Sequence, residues 1–388
     1  MLYKKRLMVP GPTPVPHQVA QAGAKPMIDE RTPEFGELFA RVGTNIKKIL
    51  HTRNDVLVFT SSITGACEGT VQNLFNPGDK VLVINNGFFA QRWVEMCKAY
   101  RLAVIECDFG FAGEIDFAQV ARVLEQDREI VAAICVLCET STGMVNDIER
   151  FAKVAQNVIS IVDAASGVAV TEIRADQWGI DVVVSGGQKA LMTPPGISFV
   201  SVSDKAWERN ARAGSPRFYF DWQKAKRYSQ DKYPHTPWTP AISLLYQLDA
   251  ALEMLLAEGL EKVYRRHEVL GRATREGLKA AGLQLLLEKE PRFASAVTAA
   301  YLPSGLHADE FVETLAADYG IQITDGPGLY KDKLIRVGHC GYIDPFEIQA
   351  ALSAIELLLI AYGCRLQPGE AAKAAQKIVA EAVADQVC

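Results

Sequence analysis

Between residues 55 and 210 the chain alternates short apolar runs, rich in Val and Ile, with amphipathic stretches. Near-continuous apolar strands separated by helices are typical of a mainly parallel sheet that is covered on both faces. The strands that the pattern predicts are 56–60, 80–85, 103–107, 130–137, 159–163, 181–185 and 197–202. The helices that it predicts between them are 64–75, 90–100, 116–125 and 148–156. We therefore expect an α/β fold with a mainly parallel, seven-stranded sheet.

The pattern changes after Pro216. Residues 218–240 are aromatic, basic and rich in Pro without a strong period, which predicts a long loop with a functional role. Beyond this loop the predicted helices are 241–255, 260–281, 308–319 and 345–362, and the predicted strands are 296–301 and 334–337. The tail from Pro368 either forms a helix or frays. We expect an N-terminal arm at 1–20, a large domain at 21–245 and a smaller α+β C-terminal domain at 246–388.

The composition argues against several classes of partner. The 388 residues carry a formal net charge of −5 at pH 7, so no excess of Lys and Arg is present for nucleic-acid phosphates. No stretch has the pattern of a signal peptide or a membrane helix, and the eight cysteines are scattered, which is typical of reduced thiols in the cytoplasm. The sequence therefore predicts a cytoplasmic protein that binds small molecules rather than nucleic acid or membranes, and it predicts no metal site.

A lysine follows directly on the predicted strand 181–185. The run 185–191 (SGGQKAL) places Lys189 after two glycines, which allow a sharp bend and a close approach to a ligand. Ligands of α/β proteins bind at the carboxyl ends of the strands, so we expect this lysine beside a cleft. The alternative from the residues alone is a surface lysine in a turn.

An aspartate ends the predicted strand 159–163. A carboxylate at a buried strand end is poorly solvated unless a cation pairs with it, and a protonated pyridine ring is such a cation. Asp163 and Lys189 fall at the ends of successive predicted strands, so one ligand would reach both. The alternative is that Asp163 caps a helix.

Further runs carry groups that suit the same ligand. Residues 60–66 (TSSITGA) supply hydroxyls and helix amides for a phosphate, without the lysine of a Walker A loop. Residues 85–90 (NNGFFA) supply an aromatic ring for stacking, and 139–143 (ETSTG) supply hydroxyls. The run 335–338 (IRVG) contains an arginine that either holds a carboxylate ligand or forms an internal salt bridge. Together with the lysine and the acid, these groups match the needs of pyridoxal 5′-phosphate (PLP).

These runs, together with 10–14 (PGPTP), 76–79 (NPGD), 162–163 (VD) and 194–196 (PPG), resemble the class V aminotransferases of PLP fold type I. The sequence is most similar to the alanine–glyoxylate and serine–pyruvate branch, and the resemblance covers about residues 7–362. It implies the fold of that group, with a large PLP-binding domain and a smaller C-terminal domain. It also implies a homodimer with active sites at the interface.

The resemblance implies two catalytic residues and several cofactor contacts. Lys189 would bind PLP covalently and later move the substrate proton, and Asp163 would pair with the pyridine nitrogen. Phe89 would stack on the ring, and Thr140 would reach the ring hydroxyl. The residues that would hold the phosphate are Ser62, Ile63, Thr64 and Gln188. Relatives often have Gly and His at the second and third of these positions.

Two further sets of contacts are implied away from the strand ends of the large domain. Tyr233 and Thr236 form a Y-x-x-T pattern that in relatives contacts the phosphate from the neighbouring subunit, and Thr239 is the alternative to Thr236. Arg336, helped by the backbone near Gly11, would hold the substrate carboxylate.

The implied reaction is a ping-pong transamination from alanine or serine to glyoxylate or pyruvate. Ureidoglycine–glyoxylate and 2-aminoethylphosphonate aminotransferases are alternatives on the same scaffold. A cysteine desulfurase needs a reactive thiol on a mobile loop, whereas Cys340 lies beside a predicted strand. A non-catalytic PLP-fold subunit is expected to lack the lysine or the aspartate, and a nucleotide-binding protein is expected to carry a Walker A or G-x-G-x-x-G motif.

Overall fold

A seven-stranded sheet lies at the centre of the N-terminal part of the chain. The computed structural model describes residues 3–287 and 293–387. From one edge to the other, the strands are Asp55–Phe59, Ser198–Val202, Val182–Gly186, Ile159–Asp163, Ile130–Val136, Lys80–Asn85 and Ala103–Asp108. Ser198–Val202 is antiparallel to both neighbours, and the other pairings are parallel. The predicted seven-stranded, mainly parallel sheet is thus confirmed.

Both faces of this sheet are buried. Along Lys80–Asn85, Val81 and Val83 pack into one apolar cluster, whereas Leu82 and Ile84 pack into another. Successive strand residues point to opposite faces, so a strand that is covered on both sides is apolar at every position. The helices of this part are His17–Ala22, Pro33–Ile49, Ile63–Leu74, Phe88–Ala99, Phe117–Gln126, Ile148–Val154, Ala175–Trp178, Asp204–Asn210 and Trp222–Ser229.

A smaller antiparallel sheet lies in the C-terminal part. Its strands, in order across the sheet, are Gln284–Leu285, Val297–Tyr301, Leu334–Gly338 and Thr324–Asp325. The helices here are Ile242–Glu258, Leu260–Ala280, Ala308–Tyr319, Pro345–Ala361 and Glu370–Val387, with a 3-10 turn at Gly328–Tyr330. The predicted α+β unit is confirmed, and the tail forms a helix rather than fraying.

Two short ladders join other parts of the chain. Arg6–Leu7 pairs in parallel with Ile321–Gln322, next to the smaller sheet. Cys138–Glu139 and Met144–Val145 form an antiparallel hairpin beyond the strand Ile130–Val136. The first ladder fixes the N-terminal segment to the C-terminal part, and the hairpin carries the ETSTG run.

Residues 218–240 do not form one long loop, so that prediction was wrong in part. Trp222–Ser229 is a helix, and it begins at Asp221, whose carboxylate accepts a hydrogen bond from the Lys224 amide at 3.0 Å. Trp222 and Ala225, three positions apart, are buried on one face of this helix. The helix has only these two buried positions among polar and basic neighbours, so its period is too weak to read from the sequence.

The predicted domain bounds stay a prediction. Helix Ile242–Glu258, which crosses the predicted boundary at 245/246, packs into a core cluster of the central sheet through Leu248 and Leu252.

Across the described ranges, no helix combines the length and the apolarity needed to cross a membrane.

Candidate active site

The strand ends of the central sheet border a cavity of about 160 Å³. Ile159–Asp163 and Val182–Gly186 are adjacent and parallel, so their carboxyl ends bring Asp163 and Lys189 to one edge of the sheet. Among the predicted site residues, those that line the cavity are Ser62, Ile63, Thr64, Phe89, Thr140, Asp163, Gln188 and Lys189. Arg92, Trp93 and Met96, which the sequence does not predict as site residues, also line it.

Lys189 lies against the N-terminal segment. Its amine donates a hydrogen bond to the carbonyl of Pro10 at 3.0 Å. Gly11 leaves room for it, because a Cβ at this position would lie 2.4 Å from both Cδ and Nζ of Lys189, and its φ of +138° is strained for other residues. Burial lowers the pKa of the Lys189 amine from its ordinary value. The lysine is therefore not an exposed turn residue, and more of its amine is in the neutral, nucleophilic form.

Asp163 is buried and accepts two hydrogen bonds. The indole Nε1 of Trp93 donates to its Oδ2 at 2.9 Å, and the Ala165 amide donates to its Oδ1 at 3.0 Å. The second bond closes a local turn, and no helix begins at Asp163. Burial raises the pKa of the Asp163 carboxyl, and the bond from Trp93 opposes this rise. A cation beside the carboxylate would lower the pKa further, and a protonated pyridine would provide one.

The start of helix Ile63–Leu74 faces the cavity. Ser62 caps this helix, and its hydroxyl accepts a hydrogen bond from the Gly65 amide at 3.2 Å. The hydroxyl of Thr64 accepts a hydrogen bond from Nη2 of Arg92 at 2.8 Å. Oε1 of Gln188 is buried and has no hydrogen-bond partner among the described residues. The helix amides suit an anion such as phosphate, and the Gln188 amide would offer it an NH₂ donor if the side-chain amide were turned.

A buried acid places the aromatic ring of Phe89. Glu139 is fully buried, and its Oε2 accepts hydrogen bonds from the amides of Phe89 and Ala90, both at 3.1 Å. Helix Phe88–Ala99 begins after Gly87, which has no side chain to cap it, so Glu139 supplies the missing acceptors. A Cβ on Gly87 would lie 2.3 Å from Cγ of Glu139, so only glycine lets the acid come this close.

Arg336 connects the smaller sheet to the hairpin that carries the ETSTG run. Its Nε donates to the carbonyl of Asp325 at 2.8 Å, and its Nη1 donates to the carbonyl of Thr140 at 3.0 Å. In residues 3–287 and 293–387 its guanidinium has no carboxylate within salt-bridge distance. Burial lowers the pKa of this guanidinium from its ordinary value. The internal salt bridge, the alternative considered for this arginine, is therefore absent from the described residues. Arg336 does not line the cavity itself, and neither does Gly11, so their substrate contacts stay predictions.

Tyr233 and Thr236 also lie outside the cavity. Tyr233 is exposed, whereas Thr236 is buried and its hydroxyl donates to the carbonyl of Trp238 at 2.5 Å. Thr239 is exposed. The prediction assigns these residues to the site of a neighbouring subunit, and a single chain does not test it.

Three of the residues that sequence reasoning missed share one helix face with the predicted Phe89. Phe89, Arg92, Trp93 and Met96 stand at positions i, i+3, i+4 and i+7, and all of them line the cavity. Once Phe89 is assigned to the site, this spacing is a sufficient signal for the other three. Glu139 has a weaker signal, because an acid at a buried strand end has several possible partners.

The family model named aminotransferase class-V matches residues 9–337. The chain belongs to the class V aminotransferases. A relative named soluble hydrogenase, small subunit, from Synechococcus sp. (strain PCC 6716), is 38% identical, and the match covers 98% of this chain and 99% of the relative. The serine–glyoxylate aminotransferase of Arabidopsis thaliana is 31% identical over 96% and 94% of the two chains. The crystal structure of pyridoxamine–pyruvate aminotransferase from Mesorhizobium loti matches with a TM-score of 0.91 at 26% identity, covering 98% of each chain.

The matches cover nearly the whole of this class V aminotransferase. They confirm the predicted family, the enzyme class and the fold. The roles of the individual site residues are not tested by them and stay predictions.

Proposed function

We propose that this class V aminotransferase binds PLP at Lys189 and moves an amino group from alanine or serine to glyoxylate or pyruvate. One observation carries the proposal: an amine with a lowered pKa, Lys189, and a carboxylate with a raised pKa, Asp163, line the same cavity. A carbonyl compound with a basic ring nitrogen suits both groups at once. The relatives named for serine, glyoxylate and pyruvate support these substrates.

The residues present fit PLP. Gly11 keeps a side chain out of the space around Nζ of Lys189, and the start of helix Ile63–Leu74 offers amides to a phosphate. The unpartnered Oε1 of Gln188 marks a side-chain amide that the described residues leave unfilled, and turning this amide would present its NH₂ to the phosphate. When bound, PLP supplies the electron sink that amino-group transfer needs.

The residues of the chain then have separate tasks in a ping-pong reaction. Lys189 takes the proton from the α carbon of the amino acid on its Nζ and returns it later in the reaction. With PLP bound, Asp163 would hold a proton on the pyridine nitrogen, and Phe89 would stack on the ring. Arg336 orients the substrate carboxylate with the part of its planar fork that protein carbonyls leave free.

We also propose that two chains associate and that Tyr233 and Thr236 complete the phosphate site of the neighbouring subunit. The exposure of the Tyr233 ring in the single chain supports this arrangement. Sedimentation is expected to show a dimer, and a fully active monomer would contradict the proposal. A cytoplasmic location stays a prediction of the sequence.

The alternatives differ in the groups that they require. A desulfurase needs an accessible thiolate, but Cys340 is fully buried, and burial raises the pKa of its thiol to about 11. A non-catalytic subunit, a possibility that the hydrogenase-named relative brings forward, has no need of Lys189 and Asp163, and both line the cavity. The ureidoglycine and 2-aminoethylphosphonate reactions differ from the proposed reaction in the amino donor. An assay with each donor in turn therefore separates these specificities.

The test is the absorbance of the protein loaded with PLP, recorded before and after each donor is added. Alanine or serine is expected to change the visible spectrum of the wild type and to sustain turnover with glyoxylate or pyruvate. Lys189→Ala is expected to lose both effects, whereas the control Lys153→Ala, at an exposed lysine, is expected to keep them. Turnover in Lys189→Ala would contradict the role of the lysine. Activity with ureidoglycine or 2-aminoethylphosphonate alone would replace the proposed donors.

A further inference from the structure

Arg92 is a cation in the cavity that none of the roles above uses. It lies on helix Phe88–Ala99, three positions after Phe89 and one before Trp93. In the proposed complex Phe89 stacks on the ring. Trp93 bonds to Asp163, which pairs with the ring nitrogen. Arg92 is half-buried and lines the same cavity, so its charge acts on whatever binds there.

The partners of Arg92 leave its charge unbalanced. Its Nη2 donates to the hydroxyl of Thr64 at 2.8 Å, and its guanidinium carbon lies 5.8 Å from the centre of the Phe89 ring. Both partners are neutral. Within the part of the chain that the structure describes, Arg92 forms no salt bridge with a carboxylate. A half-buried guanidinium whose direct partners are neutral has donors left for a negatively charged ligand.

The bond to Thr64 fixes where this charge lies. Thr64 is in the first turn of helix Ile63–Leu74, two residues after the capping residue Ser62. The first amides of a helix have no partner within the helix and carry a partial positive charge. The guanidinium of Arg92 is therefore held at the positive end of this helix, and two independent sources of positive potential meet at one end of the cavity. The acid that lines the cavity, Asp163, is bonded to Trp93 rather than to Arg92.

We propose that Arg92, held by Thr64, binds the phosphate of the cofactor and makes this site select phosphorylated pyridoxal over pyridoxal itself. The inference rests on the proposed use of PLP and adds a residue and a selectivity to it. An arginine gives a phosphate charge-assisted hydrogen bonds, which are about twice as strong as neutral ones. Pyridoxal carries the same ring and aldehyde without the anion, so it gains nothing from Arg92.

The test compares the binding of PLP and of pyridoxal to cofactor-free protein, followed by the change in ligand absorbance. Arg92→Met keeps the length of the side chain and removes its charge. We expect it to weaken PLP binding about tenfold or more and to leave pyridoxal binding within about twofold. Arg92→Lys is expected to fall between the wild type and Arg92→Met, because it keeps the charge and loses the fork. Inorganic phosphate is expected to compete with PLP in the wild type and less so in Arg92→Met.

Arg150→Met is the matched control. Arg150 also lies over a phenylalanine ring, with its guanidinium carbon 5.1 Å from the centre of Phe117, and it does not line the cavity. This variant is expected to bind both ligands as the wild type does. Equal weakening of PLP and pyridoxal in Arg92→Met would overturn the inference and indicate a role in placing Phe89. Unchanged binding of both would also overturn it. Failure of the wild type to bind PLP at Lys189 would instead refute the proposed function.

Discussion

At the scale of single residues, Gly11 determines whether Lys189 has room to react. The side chain of Lys189 runs through the volume that a Cβ at Gly11 would fill, 2.4 Å from Nζ. Gly11→Ala is therefore expected to push the lysine away from the Pro10 carbonyl and to lower turnover at least about tenfold. The measurement is the rate of the spectral change that a donor amino acid produces in the loaded enzyme.

The control for this variant is Gly43→Ala. Gly43 lies in helix Pro33–Ile49, and a Cβ there would meet nothing within 4 Å. Activity should be unchanged, and stability should rise by about 1 kcal/mol because alanine favours the helix. A fully active Gly11→Ala enzyme would show that Lys189 does not need the space beside Gly11.

Trp93 acts through Asp163. Burial raises the pKa of the Asp163 carboxyl and the indole bond opposes this, so Trp93→Phe is expected to raise the pKa further. The carboxylate form, which pairs with the ring nitrogen, is then lost at a higher pH as the pH falls. We expect the acid limb of the kcat–pH profile to move to higher pH and the maximal kcat to fall about tenfold.

Trp207→Phe tests whether this effect belongs to the site. Trp207 donates to a carboxylate oxygen of Asp55 at 2.9 Å, the same type of bond, and it does not line the cavity. Its loss should leave the pH profile in place. A shift of equal size in both variants, or in neither, would remove the positioning role of Trp93.

At the scale of elements, helix Phe88–Ala99 carries a large share of the site, and Glu139 anchors its start. Glu139→Gln replaces an acceptor oxygen with an NH₂ group that would face the amides of Phe89 and Ala90. Leaving a buried donor unpaired costs about 1–3 kcal/mol, so the urea midpoint should fall and PLP should bind more weakly. Glu149→Gln, at an exposed i,i+4 pair with Lys153, should change stability by less than about 0.5 kcal/mol. Equal stability of the two variants would contradict the anchoring role.

The elements also show why part of this architecture could be predicted and part could not. Chain order and parallel pairing place the ends of successive strands at one sheet edge, which is how Asp163 and Lys189 were brought together from the sequence. The sequence pattern does not predict helix Pro33–Ile49, because no predicted strand precedes it. It predicts a loop at Trp222–Ser229, because the apolar period of this helix is weak. The phosphate contact predicted for Tyr233 involves a second chain, so no pattern within one chain tests it.

At the scale of the whole molecule, two buried histidines link stability to pH. Nε2 of His267 accepts a hydrogen bond from the Gly341 amide at 2.9 Å, and His339 lies 2.9 Å from the Thr298 hydroxyl. Burial lowers the pKa of each imidazole to about 3. Between this value and about 6.5, the unfolded chain binds protons that the folded chain does not, so stability falls as the pH falls.

The expected loss is about 2 kcal/mol for each of these histidines between about pH 7.5 and about pH 5. The measurement is the urea unfolding free energy at both pH values. His339→Asn should make the difference in unfolding free energy between the two pH values smaller by about 2 kcal/mol, the contribution of one histidine. The control His51→Asn changes an exposed residue with a φ of 47°, a conformation that asparagine tolerates, and should leave the difference as it is. A difference that His339→Asn leaves unchanged would exclude this histidine as a source of the pH dependence.

The ladder between Arg6–Leu7 and Ile321–Gln322 has a consequence for biosynthesis. The ribosome makes the first strand at the beginning and its partner near the end of translation, and the Gly338 amide that bonds to the Met8 carbonyl comes later still. Until then the segment that carries Pro10 lacks these contacts and is held beside Lys189 from its other end, where the amide and hydroxyl of Thr13 donate to the carbonyls of Gln188 and Lys189. Domains generally fold in the order in which they emerge, yet here residues 6–8 wait for their partners at 321–338. The N-terminal segment that passes Lys189 therefore takes its final position only after the smaller sheet has been made.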